Sequence, residues 1–336
     1  MATLDIFNDD AFSVSQLSQT ITDIPRVPTQ LGDEGLFNEY GIATTTMMIE
    51  RQGSSLKLVP TAPRGGVREP VSLGGRKLIP VAANHLPQSG SVLADEVQGI
   101  RAFGSETEVD SVQRLVQRKL TTMKNNIDLT LENHRIGALK GKVLDADGSE
   151  LLDIYDLFGM TQVTQFFDVA SAASATDPKQ QSIKLKRAIQ AALGGRSFRR
   201  VRVKASEGFF DKLVSHDKMK KAWEIWNSGA FARQDQSEGD FEFAGVVYQV
   251  YAGGTSAGDF IPDGLAYAYP EGVPNMFQTA YAPADYMETV NTNGAPYYAK
   301  QERMKFDRGV ELESQSNPIN LNTLPEAVIK LSVAAS

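Results

Sequence analysis

Between Glu108 and Leu139 the apolar residues Val109, Val112, Val116, Leu120, Met123, Ile127 and Leu131 recur at steps of three and four. That period puts them on one stripe of a single α-helix. At 1.5 Å per residue the segment makes a rod about 48 Å long, which is long for a helix inside a compact enzyme domain. Thr107 stands where an N-cap belongs, and the acidic residues after it suit the positive end of the helix dipole. Lys140-Gly141-Lys142 supplies the stop, with cations near the negative end and a glycine beyond the last turn.

What precedes the rod does not read as a compact domain. Residues 1–42 carry isolated apolar side chains, among them Leu17, Ile21, Ile24 and Leu31, between polar ones, and Pro25 and Pro28 break any long helix. The pattern predicts an arm lying along a surface, pinned at intervals by single apolar anchors. Short apolar runs follow at 44–49, 56–59 and 78–81. Around TAPRGGVREPVSLGGR they predict a two-stranded projection with a long tip. An isolated hairpin is marginal in water, so it should rest on a neighbouring surface.

After the rod, KVLDADGSELLDIYDLFG places two apolar runs around Asp147-Gly148, the strongest short hairpin signal in the chain. The middle third then mixes helix and strand. Asp177-Pro178 opens a helix through Ile183, Ala188, Ile189, Ala192 and Leu193 that ends at Gly194-Gly195. VRVKA (201–205) is a strand, and a second helix from Ser215 sets Met219, Ala222, Trp223 and Trp226 on one face. FEFAGVVYQVYAG (241–253) reads as a strand bulged at Gly245, LAYAYP (265–270) as another, and the remainder as turns and short strands. The fold class is α+β.

Little in the chain could carry chemistry. The absence of cysteine excludes disulfides, thiolate zinc and a cysteine nucleophile, and suits a reducing cytoplasm. No secretory signal opens it and no run of apolar residues is long enough to span a bilayer, so neither membrane nor cofactor is expected. Asp145, Asp147, Asp153 and Asp156 suggest a calcium loop or a metal-dependent hydrolase, but Glu150 and Leu151-Leu152 break the alternating ligand spacing, and a turn is the better reading. His85, His134 and His216 lack paired metal-ligand spacing, and surface or capping roles are expected of them. No catalytic residue stands out.

Charge is sorted into blocks. Lys184 to Lys204 contains eight basic residues and no acid, whereas 234–299 contains nine acids and no Lys or Arg, within a net charge of −7. The negative balance argues against a free-standing nucleic-acid binder. Blocks of this kind predict complementary contact surfaces, within the chain or on another copy. The candidate inter-subunit residues are Arg64, Arg68 and Arg76 in the projecting loop, Lys184, Lys186, Arg187, Arg199 and Arg200 in the basic block, and Asp240, Glu242, Asp259 and Asp263 in the acidic block.

Several stretches carry a resemblance. NNIDLTLENHRIGALKGKVLDADG looks like the long helix of the lambda-like major capsid protein family, the E family, running into its hairpin through a Leu-Lys-Gly-Lys turn. DFIPDGLAYAYPEG, with Phe260 to Asp263 ahead of a strand, and the tail ESQSNPINLNTLPEAVIKLSV resemble the same family. The resemblance implies the Hong Kong-phage-type capsid fold: an N-terminal arm (1–42), an extended E-loop (43–104), a peripheral P domain with spine helix and hairpin (105–164), an axial A domain (165–265) and a return to the P domain (266–336). It implies self-assembly as hexamers and pentamers of an icosahedral shell around double-stranded DNA, built in the host cytoplasm. The partners it implies are a separate scaffolding protein, a portal and a decoration protein. A compartment shell of encapsulin type shares that fold and is the alternative. Some relatives crosslink through a Lys–Asn isopeptide bond, for which Lys57 or Lys77 and an asparagine near 317–322 would serve.

Overall fold

The computed structural model describes residues 13–25, 29–51, 77–97, 108–169, 177–228, 240–255 and 258–333. Its first elements are α1 (Val14–Asp23), α2 (Gln30–Asp33), β1 (Asn38–Gly41), β2 (Thr46–Arg51), β3 (Lys77–Ala82), β4 (Leu86–Leu93), α3 (Ala94–Val97) and the rod α4 (Glu108–Lys140). Then come β5 (Lys142–Leu144), β6 (Glu150–Asp153), α5 (Ile154–Phe158), β7 (Val163–Phe166), α6 (Pro178–Ala192), β8 (Arg200–Ala205), α7 (Glu207–Ser215), α8 (Asp217–Ser228), β9 (Phe241–Phe243) and β10 (Val246–Val250). The chain continues with β11 (Gly254–Thr255), β12 (Gly258–Asp259), β13 (Leu265–Glu271), β14 (Phe277–Tyr281), β15 (Tyr298–Arg303), β16 (Gly309–Ser316), β17 (Pro318–Asn322) and β18 (Ile329–Ser332). They fall into two compact units, one of residues 1–49, 80–132 and 278–320, the other of 50–79, 133–277 and 321–336.

The first unit is organised on the stripe of α4. Val116, Leu120, Met123, Ile127 and Leu131 are buried in one cluster with Val92, Ala299, Val310 and Leu312 of the antiparallel sheet β15-β16-β4 and with Tyr297 just before β15. Leu17, Ile21 and Ile24 complete the same cluster. Of the apolar anchors expected in residues 1–42, Leu17, Ile21, Ile24 and Leu31 are thus buried, and the first three belong to or follow a helix rather than an extended arm. Residues 14–23 form an amphipathic helix, capped by Ser13, whose apolar side lies in the chain's own core. Spacing of four and three between Leu17, Ile21 and Ile24 is a helical stripe that is easily read as scatter when it spans only two turns. A second small sheet, β1-β14-β17, pairs β1 in parallel with β14. β2 and β3 form a two-stranded ladder; the loop between them, with Leu56–Val59, lies outside the described residues.

α4 ends where the lysine-glycine sequence predicts. Gly141 has φ +93°, and a Cβ there would collide with the Tyr155 ring, so only glycine fits. In the second unit β5 and β6 form the predicted Asp147-Gly148 hairpin, and a six-stranded mixed sheet runs in the order β7-β18-β13-β8-β10-β9. Strand alternation puts Val201, Val203 and Ala205 on one face, and Arg200, Arg202 and Lys204 on the other. α6 begins as predicted, with Asp177 capping and Pro178 in the first turn. Ser182, Leu185 and Ile189 are buried on it, and the Ser182 hydroxyl bonds to buried Tyr248 at 2.7 Å.

The helix expected from Ser215 is α8, which starts two residues later behind buried His216, whose Nδ1 accepts from Lys218 N at 3.3 Å, and a further helix, α7, precedes it. α7 buries Phe209, Phe210 and Leu213. Gly245 is not a bulge. Ala244 and Gly245 both have positive φ, 53° and 75°, and Phe243 pairs with Val246, which is a two-residue hairpin turn.

Candidate functional site

The carboxylates of the hairpin are committed to local structure. Asp147 Oδ1 accepts from Ser149 N at 2.8 Å, and Asp153 caps α5 through Asp156 N at 3.0 Å while pairing with Lys142 at 2.7 Å. Among the described residues no group of three acidic or histidine side chains is arranged to hold a metal. Asn317, Asn320 and Asn322 are all buried. Asn317 bonds to His85 and Pro283, Asn320 accepts from Thr279, and Asn322 accepts from Leu324 N. Lys57 and the Lys77 side chain lie outside the described residues.

The charge blocks are tied together inside one chain. Arg200 stands opposite Glu271 across β8 and β13, with Nε 2.5 Å from Oε2. Arg202 lies 3.6 Å from the same carboxylate and 3.8 Å from Asp240, and Arg199 lies 3.9 Å from Glu271. Burial pushes the Glu271 carboxyl up, but the Arg200 bond, with Arg202 and Arg199, outweighs it and holds the group below the usual carboxylate range. Arg200 and Asp240, both candidates for a contact between subunits, thus have ion-pair partners within the chain as well, Glu271 and Arg202 respectively. Asp263 lies against Gly208 in the first turn of α7. Lys204, fully buried, donates to Gln249 Oε1 and stands 5.7 Å from the Tyr251 ring centroid.

What stays outward is smaller. Lys184 and Arg187 are exposed on α6 and, with Asp177, Gln180, Gln181 and Ile183, line an open groove of about 640 Å³. Lys186 is half-buried beside Gly245. Arg199 keeps 74% of its side-chain surface, and Glu242 and Asp259 are exposed. Arg64, Arg68 and Arg76 lie outside the described residues.

Sequence reasoning missed a buried polar group in the first unit. Lys124, only 1% exposed, donates from Nζ to the carbonyls of Ile21 at 2.9 Å, Thr22 at 3.2 Å and Ile24, at the open end of α1. It stands 4.5 Å from the Tyr297 ring centroid. A signal existed in Lys124 and Asp128, four residues apart and flanking the apolar stripe. His134, also on α4, is fully buried, with no hydrogen-bond partner among the described residues at either ring nitrogen, against the surface or capping role expected of it. Burial lowers its pKa to about 4, opposed by Asp145.

The same fold occurs in a prophage capsid protein of E. coli CFT073, with TM-score 0.63 and 14% identity over 96% of this chain and 99% of that one. It occurs also in a phage-related protein of Bordetella bronchiseptica RB50, with TM-score 0.56 and 14% identity over 96% and 98%. The likeness to both is one of fold. The model of the family described as Phage major capsid protein E matches residues 13–333, and the chain belongs to that family. Major capsid proteins of Salmonella phage Felix O1 and Pseudomonas phage KPP10 are each 24% identical to it, covering 96% and 95% of this chain and 97% and 96% of their own lengths. The chain is a structural subunit of a phage shell and self-assembles into its lattice. Among the described residues no helix is long and apolar enough to cross a membrane.

Proposed function

We propose that the subunit forms the hexamers and pentamers of an icosahedral head that encloses double-stranded DNA, with no catalytic role. The observation that carries this reading is the family match across residues 13–333. Assembly takes place in the host cytoplasm with a separate scaffolding protein and a portal, and a decoration protein completes the mature surface. In this reading Arg64, Arg68 and Arg76 lie on a neighbour, and the outward charges Lys184, Lys186, Arg187, Arg199, Glu242 and Asp259 help order subunits head to tail in a ring, where every contact is repeated by symmetry.

Light scattering of the purified protein tests the reading: particles of megadalton mass support it, and a monomer under all conditions defeats it. Nucleic acid recovered from particles of infected cells separates a head from an empty storage compartment. Trypsin tests the loop, because cleavage after Arg64, Arg68 or Arg76 should be lost on assembly. Equal cleavage in free and assembled protein counts against a loop seated on its neighbour.

A further inference from the structure

The turn that joins β15 to β16 ends in an aromatic ring that its own subunit does not use. Phe306 is 88% exposed and sits at φ +63°, ψ 23°, a left-handed conformation that favours glycine or asparagine over an aromatic residue. Water and backbone both disfavour phenylalanine here, and the nearest recorded partner is the Arg308 guanidinium, 5.8 Å from the ring centroid.

Charge is sorted along the same hairpin. The turn carries Arg303, Lys305 and Arg308. One rung below, Glu302 stands directly opposite Glu311, a like-charge pair that repels. Neither carboxylate makes an ion pair with a described residue, and neither does Lys305. Beside this ridge lies a second apolar surface. The Lys300–Glu288 bridge, at 2.9 Å, holds the loop after β14 against β15, and that loop exposes 87% of Met287 and 56% of Val290. One unit therefore carries an exposed aromatic ring among cations at the turn, and two exposed apolar side chains beside β15, the strand that also carries Glu302. They sit at different places along one hairpin and cannot meet within a chain.

We propose that the Phe306 turn of one subunit docks on the Met287–Val290 seat of a second copy of this chain, with Lys305 and Arg308 against Glu302 and Glu311. The contact is heterologous, since turn and seat are different surfaces, and it propagates from copy to copy. An exposed aromatic group flanked by arginine is the kind of group that dominates an interface. The proposal rests on the shell reading above.

The experiment compares the wild-type chain with Phe306→Asn, Phe306→Leu and the double change Lys305→Glu with Arg308→Glu. Each is followed by thermal melting of the free subunit and by light scattering of assembly. Phe306→Asn should melt at or above the wild-type temperature and lose particle yield about tenfold or more, as for a dominant interface side chain. Phe306→Leu should keep most of the yield. The double reversal should block assembly, and Glu302→Lys with Glu311→Lys in the same chain should restore it. Wild-type yield from Phe306→Asn, a lowered melting temperature in that variant, or no rescue by the second reversal overturns the docking. Failure of the wild-type chain itself to form particles overturns the shell reading instead.

Discussion

The Tyr297 hydroxyl donates a 2.5 Å hydrogen bond to the Asp128 carboxylate, in the interior between α4 and the start of β15. Lys124 lies one turn earlier on α4, over the same tyrosine ring and bound to the last carbonyls of α1. A buried ammonium is tolerated only when its donors are satisfied, so this lysine fastens the first helix to the rod. Lys124→Met should cost roughly 2–4 kcal/mol in denaturant unfolding, because it strips partners from buried carbonyls. Backbone amides of residues 14–24 should then exchange faster with solvent, and unchanged exchange would show that α1 is held by its apolar side alone. Tyr297→Phe, which removes one donor to Asp128, should cost about 1–3 kcal/mol.

Leu120 has no exposed surface in the α4 stripe. Leu120→Asp buries an unpaired carboxylate and should cost several kcal/mol, on the order of 4 or more, giving insoluble protein rather than folded, unassembled subunits. Soluble Leu120→Asp protein with the wild-type helix content would refute this placement.

Glu271 gathers Arg199, Arg200 and Arg202. Arg200→Glu sets two carboxylates face to face across β8 and β13. Because Arg200 is 40% exposed, solvent screening limits the loss to about 1–2 kcal/mol. Adding Glu271→Arg should recover part of it in a double-mutant cycle. Additive single losses would mean that the two side chains do not interact in solution.

The folded chain resists protonation of His134 down to a pKa of about 4, whereas the unfolded chain takes up that proton near pH 6.5. Between those values the unfolded state binds more protons, so stability rises with pH and is lost as pH falls from about 6.5 towards 4. The full effect is on the order of 3 kcal/mol. His134→Leu should flatten that limb of the melting-temperature profile; a profile with the same slope in both proteins would place the titrating group elsewhere.

Local signals in the chain located the elements whose order depends on nearest neighbours. The stripe from Val116 to Leu131, the Asp177-Pro178 start, the Asp147-Gly148 turn and VRVKA all appear where their period or turn residues place them. α1 was hidden because a stripe of three residues in two turns looks like isolated anchors. That Ser182, a polar residue, points into the core to meet Tyr248 left no local signal. Pairing distant in sequence was invisible: Arg200 and Glu271 are 71 positions apart, and Tyr297 and Asp128 are 169 apart. The exposure of Phe306 belongs to the same class, since neither periodicity nor composition marks a ring that its own subunit leaves uncovered.

In the six-stranded sheet, β18 lies between β7 and β13, parallel to one and antiparallel to the other. The ribosome makes β7 first, β13 about a hundred residues later and the strand that joins them last. Until residues 329–332 emerge, β7 has no partner and one edge of β13 is open, a state in which strand edges invite pairing with any chain nearby. Vectorial synthesis thus leaves the β7 edge of a nascent copy open for about half of its translation. A copy cut short by a nonsense codon before Ile329 would keep two raw edges and lack the strand that joins them. Such fragments are material for chaperones and proteases, and the order of the strands supplies a built-in check that only read-through copies reach the lattice.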